Sequence, residues 1–144
     1  MSGLQGQCLC GAVRVTVTGV YDPAIGACHC RMCQQWSGGL FACFSAGAEA
    51  VTVTGPITRH ASSSFAERAF CATCGSHLWM RDTDRADAPY DLMPGLFEAA
   101  ADWPLRSEIY CDQAMAATRL VGDHPRQTAA QYEAEYTHVE GDIE

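Results

Sequence analysis

Gln7-Cys8-Leu9-Cys10-Gly11-Ala12-Val13-Arg14-Val15-Thr16-Val17-Thr18-Gly19 sets a cysteine pair directly before a strictly alternating run. Val13, Val15 and Val17 fall on one face of an extended chain, with Arg14, Thr16 and Thr18 on the other, which is the pattern of a half-buried strand. Residues i and i+2 of such a chain project to the same side, so the Cys8 and Cys10 sulfurs can face one point. The stretch therefore predicts a β-strand entered through two potential metal ligands.

The clustering recurs downstream. Cys28-His29-Cys30-Arg31-Met32-Cys33 and Cys71-Ala72-Thr73-Cys74-Gly75 bring the clustered cysteines to seven of nine, with Cys43 and Cys111 standing apart. An odd total cannot pair entirely as internal disulfides, and spacings of one and two residues belong to metal ligands rather than to a disulfide framework. Seven divides as four plus three. Four thiolates close a tetrahedral zinc site, whereas three leave a coordination position for a substrate or water.

Cys71-x-x-Cys74-Gly75 reads as a zinc knuckle, in which amide hydrogens point at the first sulfur and the glycine takes a positive φ that other residues resist. A thioredoxin-like redox pair is disfavoured, because no helix start follows Cys71 and no βαβ pattern surrounds it. Cys8 and Cys10 can complete the knuckle, tying distant parts of the chain together where a small β domain is short of core. Spacing alone also permits Cys8/Cys10 to join Cys28/Cys30, leaving Cys33 with the knuckle.

The middle cluster places three thiols within six residues. A compact loop of that kind wraps one face of a metal. Three thiolates weaken zinc as a Lewis acid, so the site suits activation of a fourth thiol better than polarisation of a carbonyl, and a thiol bound there would be deprotonated. The structural alternative is a second closed zinc, with His29, a more distant histidine or Cys43 as fourth ligand. Cys43 and Cys111 lie in apolar runs and read as small core residues. His60, His77, His124 and His138 have no ligand spacing and read as surface or hydrogen-bonded side chains. His29, between two ligands, is expected to point away from their metal.

The 144 residues suit one domain, and 48% hydrophobic with 18% charged residues is ordinary for a globular chain. The formal charge is −8, with seventeen acidic residues, nine arginines and no lysine. Such a surface repels phosphate backbones and argues against nucleic-acid binding. The N-terminus shows neither a basic nor an apolar signal region, and no apolar run approaches the ~18 residues of a membrane span. A reducing, cytoplasmic location without membrane contact is expected.

Strands are also expected at 40–44, 51–54, 75–80, 90–96 and 107–111, with a strand–loop–strand at 57–70, a charged loop at 82–89 and a short helix at 97–101. A helix over 128–138 would precede a frayed end at 141–144. The expected architecture is mainly β, held in part by metal, with a short helix near the C-terminus. Residues 1–126 form the zinc domain and 127–144 an acidic, partly helical extension.

Gly6-Gln7-Cys8-Leu9-Cys10-Gly11-Ala12-Val13-Arg14, Cys28-His29-Cys30-Arg31-Met32-Cys33-Gln34-Gln35-Trp36-Ser37-Gly38 and Phe70-Cys71-Ala72-Thr73-Cys74-Gly75, in that order, resemble the glutathione-dependent formaldehyde-activating enzyme family. Centromere protein V shares its domain. Tyr90-to-Phe97 and Asp123-His124-Pro125-Arg126 are weaker late matches. The resemblance implies an Mss4-like folded β structure, a structural zinc on Cys8, Cys10, Cys71 and Cys74, and a catalytic zinc on Cys28, Cys30 and Cys33. It implies carbon–sulfur lyase chemistry, in which glutathione adds to formaldehyde to give S-hydroxymethylglutathione. Two departures stand out: Gly95-Leu96-Phe97-Glu98 where members often carry Leu-Asp-Asp after a glycine, and no tryptophan near Ala117. Glutathione is anionic, and Arg31, Arg59 and Arg68 are the cations nearest the clusters in sequence. The alternatives are a non-catalytic glutathione or thiol carrier and a structural zinc interaction domain.

Overall fold

The computed structural model describes residues 3–136, in which the backbone forms eleven strands and two α-helices. In chain order these are β1 (Leu4–Gln7), β2 (Arg14–Val17), β3 (Ile25–Cys28), α1 (Arg31–Ser37), β4 (Phe41–Ala46), β5 (Val51–Thr54) and β6 (Ile57–Ala61). There follow β7 (Ala66–Cys71), β8 (His77–Asp82), β9 (Tyr90–Leu92), β10 (Leu105–Ile109), β11 (Arg126–Gln127) and α2 (Ala129–Glu135). The protein is mainly β, with one helix near its C-terminus. Positions 137–144, and with them His138 and the expected end of the last helix, lie outside the described residues.

The chain divides into two units. The first takes the chain up to Pro23 together with Cys43–Trp103. In it β2 lies between β1 and β5, antiparallel to both, with Val15 opposite Gly6 on one side and Val53 on the other. Val13, Val15 and Val17 are fully buried, while Arg14 between them is exposed, as the alternation requires. A meander of β6, β7, β8 and β9 continues to the second half of β4. Trp79 and Leu92 are opposite one another in that sheet and fully buried. An aromatic cluster of Phe44, Phe97, Trp103 and Tyr21 fills the rest, with Phe44 edge-on to Phe97 at 5.3 Å and to Trp103 at 4.9 Å. Gly6 permits this packing, since a Cβ there would stand 2.7 Å from the Phe97 ring.

The second unit takes Ala24–Ala42 and the chain from Pro104 on. Its β10 is parallel to both β3 and β11, with Glu108 opposite Ala27 and Arg126, and Ile109 opposite Cys28 and Gln127. β1 and β3 are strands that no sequence pattern predicts, and the middle cysteine cluster, expected as a loop, is not one throughout. The structure starts α1 there, with Cys30 as the N-cap whose sulfur accepts from the Cys33 amide. α1 ends at Gly38, which takes φ 91°. The expected helix at 97–101 is a 3-10 segment, Glu98–Asp102.

Because the β2 valines face a close-packed interior, Val15→Ala is expected to cost about 2–3 kcal/mol. Arg14→Ala, one residue away and exposed, is expected to stay within about 0.5 kcal/mol. Urea midpoints of the metal-loaded protein check both. Equal effects of the two substitutions would refute the assigned alternation.

Candidate metal centres

Two groups of sulfurs form among the described residues. In the first unit the Sγ atoms of Cys8, Cys10, Cys71 and Cys74 lie within 4.8 Å of one another. Cys8 and Cys10 arrive from the turn before β2, Cys71 from the end of β7 and Cys74 from the turn into β8. The Cys8–Cys10 sulfurs are 3.6 Å apart and the Cys10–Cys71 sulfurs 3.9 Å. Zinc–sulfur bonds of about 2.3 Å in a tetrahedron place sulfurs roughly 3.8 Å apart, so the group already has the dimensions of an S4 zinc cage. All nine cysteines are free thiols.

Local backbone prepares these sulfurs for negative charge. The Val13 amide donates to Cys8 Sγ at 3.3 Å, and the Thr73 and Cys74 amides donate to Cys71 Sγ at 3.4 and 3.5 Å. Gly75 takes φ 79° and its amide returns to the Cys71 carbonyl, closing the knuckle. Ser76 joins the two halves: its Oγ accepts from the Leu9 amide at 3.0 Å and stands 3.2 Å from Cys74 Sγ. Hydrogen bonds from the Ser76 hydroxyl and amide lower the Cys74 thiol to about 5. Cys10 moves the other way, to about 11, because the pull of the Ala12 amide is outweighed by burial and by the three neighbouring thiols. Thiolates this close oppose one another's ionisation, a cost that a bound cation would relieve.

The second unit holds the other group, the Sγ atoms of Cys28, Cys30 and Cys33, again within 4.8 Å of one another. Cys28 ends β3, Cys30 caps α1 and Cys33 lies in its first turn, with Cys30 and Cys33 buried. Hydrogen bonds with Cys30 and Cys33, then burial, push the Cys28 thiol well above its ordinary value. Three soft donors of this kind fit a thiophilic ion, and the group has three members, not four. Both cysteine groups could therefore hold a metal ion.

His29 is not a fourth member. Its imidazole is fully buried and Nε2 lies 2.8 Å from Glu108 Oε1. Glu108 Oε2 accepts from His124 Nε2 and, at 3.0 Å, from Arg126 Nε. Burial raises the Glu108 carboxyl, but bonds from His124 and His29 outweigh it and leave the value lowered. Sequence reading missed Glu108 altogether. Its only signal was a charged residue in the middle of the β10 strand, in Leu105-Arg106-Ser107-Glu108-Ile109. Of the three arginines singled out, Arg31 is exposed on α1, with Nη1 3.3 Å from Gln34 Oε1. Arg59 stacks over Trp79 at 5.6 Å and stands 3.6 Å from Glu67, and Arg68 is buried. Cys43 and Cys111, expected in the core, are half-buried.

A family model described as glutathione-dependent formaldehyde-activating enzyme matches residues 3–113, the stretch that contains every clustered cysteine. The chain belongs to this family. It is 31% identical over 113 residues to an uncharacterized lyase of Schizosaccharomyces pombe, covering 78% of this chain and 81% of that one. A Halomonas elongata protein with the provisional name of a glutathione-dependent formaldehyde-activating enzyme is 32% identical over 88 residues, 55% of this chain and 56% of the relative. The crystal structure of a Rhodobacter sphaeroides protein, a structural-genomics target, aligns with a TM-score of 0.56 at 20% identity, over 71% of this chain and 99% of its own. That likeness shows the fold alone. The family resemblance read from the three cysteine motifs is thus confirmed over most of the chain.

In metal-free protein at neutral pH, Cys74 is expected to be the thiol alkylated first in the four-sulfur group. The sign follows from the shifts: Cys74 stays a thiolate down to about 5, whereas Cys10 remains protonated up to about 11. Peptide mapping after brief iodoacetamide treatment reads the order. Preferential labelling of Cys10 over Cys74 would contradict it.

Proposed function

We propose that this chain is a zinc-dependent enzyme of the carbon–sulfur lyase kind that joins or splits a thiol and a small aldehyde, as in S-hydroxymethylglutathione formation from glutathione and formaldehyde. One observation carries the reading: three sulfurs grouped with no fourth ligand among the described residues, in addition to a separate group of four. A structural zinc needs a closed set, and the four-sulfur group supplies one in Cys8, Cys10, Cys71 and Cys74. Cys28, Cys30 and Cys33 hold the second zinc and leave a position for the incoming thiol. The family and the names of the two relatives support the same class of reaction.

Zinc bound by the three cysteines supplies the Lewis acidity that lets a thiol lose its proton at neutral pH. The rest falls to the protein. The Cys33 amide donates to Cys30 Sγ at 3.4 Å, keeping that ligand aimed while the others share the metal. Arg31, exposed on the first turn after Cys30, offers a cation to an anionic thiol in a protein of charge −8. In the addition the thiol sulfur forms a bond to the aldehyde carbon, the carbonyl π pair moves to oxygen, and the thiol proton ends on that oxygen. No oxidant or reductant is consumed. Nine free cysteines accord with a reducing, cytoplasmic location. Among the described residues no helix is long and apolar enough to cross a membrane.

Cys30→Ser is expected to lower the metal content from two equivalents to about one and to reduce glutathione–formaldehyde turnover above the spontaneous rate by at least about 100-fold. Metal analysis and an adduct-formation assay at low thiol concentration check both. Equal turnover in variant and parent would remove the catalytic reading. Saturable thiol binding with no rate above background would favour a carrier.

A further inference from the structure

We infer that Glu108 and Gln34 are positioning residues that hold the three-cysteine turn in its ligand geometry by gripping His29 from behind. This rests on the reading that Cys28, Cys30 and Cys33 bind the metal. Adjacent residues of an extended chain point to opposite faces. Glu108 is opposite Ala27 in the parallel ladder, which the His29 amide continues by donating to the Ile109 carbonyl at 3.1 Å. Glu108, Ala27 and His29 therefore share one face, and Cys28 and Ile109 the other.

His29 is held twice. Its fully buried ring has one hydrogen bond among the described residues, from Nε2 to Glu108 Oε1 at 2.8 Å, while Nδ1 has none. Its carbonyl accepts from Gln34 Nε2 at 2.7 Å. Gln34 is itself buried on α1, and the same Nε2 donates to the Gln113 carbonyl at 2.8 Å. Ring orientation thus depends on Glu108, and the peptide joining His29 to Cys30 depends on Gln34.

Glu108 is anchored from its far side. Oε2 takes His124 and Arg126, and Arg126 in turn donates to the Gly122 carbonyl at 3.0 Å and the Leu120 carbonyl at 2.8 Å. A buried carboxylate with these partners is a rigid peg, and neutralisation by Arg126 makes its burial tolerable. The consequence for the cysteines is geometric. Three sulfurs that repel one another when ionised stay grouped because the residue between two of them cannot rotate out. Supports of this kind around a metal site alter metal retention more than they alter the fold.

The test is metal release. Wild type, Glu108→Gln and Gln34→Leu are loaded with zinc and mixed with a chromogenic chelator, and the phase missing in Cys30→Ser identifies the three-cysteine metal. Cobalt(II)-loaded samples report the sulfur geometry of each site through their d–d bands. The three-cysteine metal is expected to leave about ten-fold faster or more in both variants, with altered cobalt bands, while the other metal and the thermal midpoint of Gln34→Leu stay near wild type. Gln34→Leu decides the matter should Glu108→Gln not fold. Unchanged release from that site in Gln34→Leu, or equal acceleration of both metals, overturns the inference. Wild-type protein that binds one metal overturns the underlying reading instead, a distinct result.

Discussion

Mutual repulsion among thiolates governs this molecule. Each unit gathers sulfurs closer than free anions tolerate: four within 4.8 Å in one and three in the other. Without a cation, protons must fill the gap: burial and the neighbouring thiols outweigh the Ala12 amide and raise Cys10 to about 11, whereas hydrogen bonds from Ser76 hold Cys74 down at about 5. A divalent ion bound at either cluster would remove the conflict and convert it from a cost to a source of stability. The rest of the local architecture serves that exchange, through amides aimed at Cys8, Cys71 and Cys30, the Ser76 hydroxyl and the Gly75 turn.

The two clusters solve the same electrostatic problem with different backbone. The four-sulfur group joins segments far apart in the chain, with Cys10 and Cys71 separated by 61 residues, so a metal held there would stand in for hydrophobic core. The three-sulfur group is local, drawn from the end of a strand and the start of a helix. A local group has little to add to fold stability by closing a loop. On the proposed reading its value would lie in the coordination position that it leaves to a substrate.

Much of the fold could be read from the chain because its signals were short-range. Val13, Val15 and Val17 announce a half-buried strand by period alone, and Val51–Thr54 has the bounds that its β-branched residues suggest. The 57–70 segment is the expected strand, loop and strand. Misreadings came where context decides. Ile25-Gly26-Ala27-Cys28 is too small and glycine-bearing to look like a strand, yet pairing with β10 makes it one. Arg31-Met32-Cys33-Gln34-Gln35-Trp36-Ser37 was masked as a helix by its ligand spacing, although Cys30 can cap it through its sulfur.

The sequence by itself determined the family, the four-plus-three division permitted by cysteine spacing, and the mainly β character, because ligand spacing and strand periodicity are properties of adjacent residues. Spacing by itself left open which cysteines meet; the family resemblance implied the grouping, and the tertiary structure brings those same sulfurs together. Spacing allowed Cys8 and Cys10 to join either later cluster, and strand registers brought them to Cys71 and Cys74. Only the tertiary structure placed Glu108, 79 residues from His29, against that ring on the face opposite Cys28. No local pattern encodes such a contact, since it depends on parallel pairing between β3 and β10 and on burial that makes a lone carboxylate seek His29, His124 and Arg126.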